Sequence, residues 1–147
     1  MHASISHSRA HAVFWIIALA GLSWNLFGVF QFARTALASE QGLMMGGMTA
    51  QQAALYFNLP LWMNAAFAIG VFGGVLGSVA MLLRKRLAQP VFAGSLAGYV
   101  VLYVGDITQG VFAAFGTSQV VILSLVVGIA FGLWLAARHY ARRGVLT

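Results

Sequence analysis

The chain has 147 residues, 61% hydrophobic and 7% charged, with a mean hydropathy of +0.90; soluble domains carry about 25% charged residues, so this is the composition of an integral membrane protein with room for one domain, 1–147, and no separate soluble catalytic unit. The net charge of +6 does not describe a nucleic-acid-binding stripe, because seven of the eight Lys and Arg residues stand at the ends of apolar segments. Cysteine is absent, which excludes disulfides, thiolate catalysis, Cys-ligated zinc and iron–sulfur clusters.

The polar N-terminal tail carries His2, His7 and His11, with an i,i+4 pair between His7 and His11. Such a pair can ligate a metal on a helix, but without Cys or acidic company these histidines read as a solvated end. The first apolar segment runs from about 12 to 33. Ala36, Leu37 and Ala38 before Ser39 resemble a signal-peptide cleavage site, yet the apolar run exceeds the roughly 7–15 residues of a secretory core, so it is expected to stay as a membrane helix.

Residues 34–60 form the only sizeable stretch outside an apolar segment. Thr35 to Met48 is rich in Gly and Met and reads as loop, with Met44, Met45 and Met48 as apolar filler and not a Cu(I) site. Thr49-Ala50-Gln51-Gln52 is a capping-box pattern. It predicts a short helix over about 50–57, lying in the membrane interface or capping a cavity from outside.

Three further apolar segments follow at about 61–83, 91–115 and 120–137, each long enough for a hydrocarbon core of about 30 Å. The last segment can start earlier, at Thr117 and Ser118, whose hydroxyls suit a helix N-cap. Pro90 sits in a first helical turn, where its missing N–H is harmless. No segment alternates with the period of a barrel strand. The predicted fold is all-α, an integral membrane four-helix bundle. Seven basic residues on one side against Arg34 on the other put both termini in the cytoplasm.

Small residues recur at four-residue spacing inside the apolar segments. Gly70, Gly74 and Ser78 form one row in the second segment and Gly73 with Gly77 the next; Gly94 and Gly98 lie in the third, and Gly128, Gly132 and Ala136 in the fourth. Such rows allow close backbone approach where lipid supplies no hydrophobic drive. They fit packing inside the bundle, self-association, or docking to another membrane subunit.

Asp106 is the only acid inside an apolar segment, the chain's other acid being Glu40. A charge at mid-membrane costs at least ~2.5 kcal/mol, so Asp106 must be protonated, water-lined or paired with a partner's cation. Counting ~1.5 Å per residue from segment midpoints places Asn25 and Asp106 about 4–5 Å, Gln109 about 9 Å and Asn64 about 12 Å outside the midplane. Together with Gln31 and Trp62 they form a candidate polar pocket, roofed by residues 49–58. A structural alternative is a hydrogen bond between Asp106 and Asn25 across helices, worth about 0.6 kcal/mol.

The stretch WNLFGVF (Trp24 to Phe30), the stretch LPLWMNAAFAIGVFGGVLGSVAMLLRKRLAQPVFAGSL (Leu59 to Leu96) and the basic tail resemble a family of small bacterial four-helix membrane proteins that often carry the label "sugar transporter". The resemblance implies a bacterial inner-membrane location and four helices. No nucleophile–base pair or metal set can be assembled, so no enzyme, metal or cofactor is expected. Two functions are expected from these residues. One is a non-catalytic accessory or structural subunit that packs against other membrane proteins or itself, in contact with lipid and not nucleic acid. The other is an oligomeric small-molecule or proton-coupled transporter using the pocket around Asp106.

Overall fold

The computed structural model describes residues 2–147, and side chains from Arg9 onward. Seven helices follow one another: α1 (His2–Ala36), α2 (Glu40–Met45), α3 (Ala50–Phe57), α4 (Leu61–Leu82), α5 (Ala88–Thr108), α6 (Val111–Phe115) and α7 (Thr117–Arg142). No strand occurs among the described residues. Four helices, α1 from Arg9, α4, α5 and α7, are long and apolar enough to cross a membrane.

The helix ends follow from local chemistry. α1 begins ahead of its apolar stretch because no Gly or Pro occurs before Gly21 to interrupt it. The segment read as loop contains α2, whose N-cap Ser39 accepts a hydrogen bond from the Gly42 amide at 3.1 Å and whose first turn holds Glu40. α3 occupies the predicted span: Thr49 Oγ1 accepts from the Gln52 amide at 3.2 Å, and Gln52 Oε1 accepts from the Thr49 amide at 3.0 Å. The third apolar segment does not run unbroken to Phe115. It stops at Thr108, and Gly110, with φ of 76°, starts a separate turn of helix. α7 does begin at Thr117, but its cap is the backbone of Gly116, and neither hydroxyl takes the N-cap role.

α4 packs between α1 and α5, and α5 packs against α7, so the bundle is an ordered sheaf in which α1 and α7 meet along little of their length. Close approach along α4 comes from its glycines. A methyl group on Gly70 would meet the Tyr99 ring at 2.6 Å, one on Gly73 would meet Ser95 Cβ at 3.1 Å, and one on Gly77 would meet the Phe92 ring at 2.7 Å. A methyl on Gly98 would meet the Ala66 carbonyl at 2.8 Å, and one on Gly74 would fall inside the Asn25 carboxamide. Gly94, Gly128 and Gly132 instead have open space beside them.

The basic end of the bundle is closed by a core of Phe14, Met81, Phe92, Leu133 and Leu146. There the final residues bond back to the α4–α5 loop: the Thr147 amide donates to the Arg84 carbonyl at 2.8 Å, and the Arg86 amide donates to the Thr147 carbonyl at 3.1 Å. With Leu146 only 1% exposed beneath them, α1, α4 and α7 are tied together at this end. The site lies at the other end.

Candidate functional site

At the end away from the basic residues, α1 and α7 separate around a cavity of about 270 Å³. α1 contributes Trp24, Gly28, Gln31 and Thr35, α4 contributes Phe67 and Val71, α5 contributes Tyr99, Leu102 and Asp106, and α7 contributes Gln119, Ile122, Leu123 and Val126. Met48, Tyr56 and Phe115 close it from above. The roof is held in place by one side chain with two jobs. Gln52, already part of the α3 capping box, also donates Nε2 to the Ala114 carbonyl at 3.1 Å, which fixes α3 against α6. The Tyr56 and Phe115 rings then meet edge to face at 6.0 Å.

Asp106 is 3% exposed. Gln119 Nε2 donates to its Oδ2 at 3.1 Å. Among the described residues no hydrogen bond is made to Oδ1, and Asp106 lines the cavity. None of the residues lining the cavity is Lys, Arg or His. Beside it, burial raises the pKa of the Tyr56 phenol. The site therefore has one carboxyl group, several neutral donors and acceptors, and aromatic walls.

The chain break after Thr108 explains the Gln119 contact. Had α5 run on to Phe115, its end would stand about 13 Å above Asp106, and the start of α7 would lie a comparable distance away. The positive φ at Gly110 and Gly116 turns α6 aside, and α7 starts level with Asp106. Gln119, Thr35, Tyr99 and Trp24 are not among the pocket residues expected from sequence, while Tyr56 falls within the expected roof, residues 49–58. The available signal was the Gln109-Gly110 pair within an apolar run, a helix-stop pattern.

Of the residues expected in the pocket, Asp106 and Gln31 line the cavity together. Asn25 is equally buried but faces α4: its Nδ2 donates to the Gly21 carbonyl at 2.7 Å and its carboxamide rests on Gly74. It makes no hydrogen bond with Asp106. Gln109 is exposed, because the helix face it was to share with Asp106 ends one residue earlier. Asn64 and Trp62 lie on α4 outside the cavity, and Trp62 rests on Gly105 of α5.

No group of three metal-ligating side chains occurs among the described residues. The side chains of His2 and His7 lie outside those residues. His11 Nε2 accepts from Trp15 Nε1 at 3.0 Å, and Met48 lines the cavity while Met45 is 90% exposed.

A second concavity lies along the α1–α7 seam on the other side of Trp24. It is shallow and open, about 440 Å³, and is lined by Ile17, Ala20, Gly21, Trp24, Ile129, Gly132, Leu133 and Ala136. Trp24 borders both spaces. Fold and site together define a small all-helical bundle of membrane-spanning length with a polar-centred cavity open at one seam. Compared with known proteins, the chain matches no family model, no curated protein and no solved structure.

Proposed function

We propose that this chain is a non-catalytic ligand-binding protein of a bacterial inner membrane, which holds a small molecule in the outer half of the bundle and, as an oligomer, carries it. Both termini lie in the cytoplasm in this reading, following the basic residues of the α4–α5 loop and of the α7 end. The observation that carries it is the buried Asp106 carboxyl, which lines a 270 Å³ cavity and has one oxygen without a hydrogen bond among the described residues. An acid that served only to pack helices would be enclosed by partners on both oxygens, whereas ionisable groups inside membranes otherwise mark ligand or ion sites.

Purification in mild detergent followed by native mass spectrometry tests this. Wild-type protein should retain a small molecule that is lost from Val126→Phe, which fills the cavity from α7, while both proteins show the same helical circular dichroism. Identical bare masses for the two proteins would remove the reading. A second reading, an accessory subunit docked to other membrane proteins, is favoured by Gly94 and Gly128, which leave open space on the outside of α5 and α7. A fixed-stoichiometry complex in the same purification supports it.

A further inference from the structure

We propose that the ligand is a single-chain amphiphile with an ammonium head, the head held beside Asp106 and the chain laid along the groove between α1 and α7. This rests on the ligand-binding reading and names the chemical class that the site takes.

The head is assigned from the cavity wall. Trp24, Phe67, Tyr56, Tyr99 and Phe115 stand around a single acid, and no Lys, Arg or His lines the space. A carboxylate among aromatic side chains is a setting that recognises ammonium groups: the acid supplies the opposite charge, and an aromatic face attracts a cation without needing its protons. An anionic head would meet Asp106 with like charge, and a neutral apolar head would leave Oδ1 without a partner in a low-dielectric space. An ammonium sets a positive charge against the carboxylate, and the pair brings no net charge into the bundle.

The chain is assigned from what adjoins that wall. On the other side of Trp24 lies the seam groove, lined by Ile17, Ala20, Gly21, Gly132 and Ala136, with no charged residue in it. It follows the helices for about 10 Å, taking the seven steps from Ile17 to Trp24 at ~1.5 Å each. Gly132 borders this groove with nothing within 4 Å of where its side chain would be, so the groove is a gap that glycine leaves open. An alkyl chain fills it, and a ligand that entered from the lipid through the seam would already lie with its head toward the cavity.

The test uses four probes with detergent-solubilised full-length protein and native mass spectrometry: decyltrimethylammonium, decanol, decyl sulfate and tetramethylammonium. Decyltrimethylammonium should bind one per chain, at least about tenfold more tightly than decanol, with decyl sulfate weakest. Asp106→Asn should abolish the preference for the cation and leave decanol unchanged. Gly132→Leu, which has space to fold, should weaken both decyl compounds and leave tetramethylammonium unaffected. Equal binding of decanol and the decyl cation by wild type overturns the ammonium assignment and leaves the ligand-binding reading standing. Equal binding of tetramethylammonium and the decyl cation overturns the chain assignment alone. If none of the four binds while a co-purifying molecule is still displaced by Val126→Phe, the class is wrong and the cavity's role is right; if that molecule is absent too, both fall.

Discussion

At the scale of single residues the bundle depends on contacts that leave no room for a methyl group. Gly74 and Asn25 are the tightest of these: the Asn25 carboxamide occupies the position that a Gly74 side chain would take, while its Nδ2 is held by the Gly21 carbonyl at 2.7 Å. Gly74→Ala must therefore push Asn25 out of a bond already made, and overpacking of this kind costs about 1–3 kcal/mol. Asn25→Ala alone should cost less, since a hydrogen bond inside a membrane bundle is worth about 0.6 kcal/mol on average. In the double variant the clash has no second partner, so most of the Gly74→Ala penalty should disappear. Unfolding in mixed micelles across the four proteins measures this coupling; additive effects would show that Asn25 does not pack on Gly74.

At the scale of elements, the decisive feature is the interruption between α5 and α6. Gly110 has φ of 76° and open space beside it, so a methyl group there meets no neighbour and acts only through backbone strain. Gly110→Ala should destabilise the fold by about 1–2 kcal/mol, and Gly110→Asn by less, because Asn tolerates the left-handed region. Equal unfolding midpoints for Gly110→Ala and wild type would contradict that geometry. The same interruption marks the limit of what the sequence disclosed. Long apolar runs and the Thr49–Gln52 pair identify α1, α3, α4, α5 and α7, because hydropathy over a membrane-length window and a local cap are both written in consecutive residues. Asp106 stood out for the same local reason, as an acid in apolar company. Its partner did not, since Gln119 reaches it only through two glycine turns whose angles no periodicity encodes. Asn25 had the depth of a pocket residue, but depth does not say which neighbour a side chain faces, and the glycine row on α4 drew it the other way.

At the scale of the whole molecule, charge is divided between the two ends. Arg9, Arg84, Lys85, Arg86, Arg138, Arg142 and Arg143 stand at one end, and Arg34 and Glu40 at the other. Cations flanking membrane helices are retained on the cytoplasmic side, so the α4–α5 loop should lie there, and α2, α3 and the roofed end of the cavity should face outward. Because the natural chain has no cysteine, single introduced thiols report this directly. Met45, 90% exposed in α2, and Leu87, 63% exposed in the basic loop, can each be changed to Cys without opening a core. In intact cells a membrane-impermeant maleimide should label Met45→Cys and leave Leu87→Cys unmodified until the membrane is broken. The reverse pattern would turn the molecule over and place the Asp106 cavity in the inner leaflet. Labelling of both in intact cells would show a mixed insertion, which an imbalance of seven basic residues to one strongly opposes.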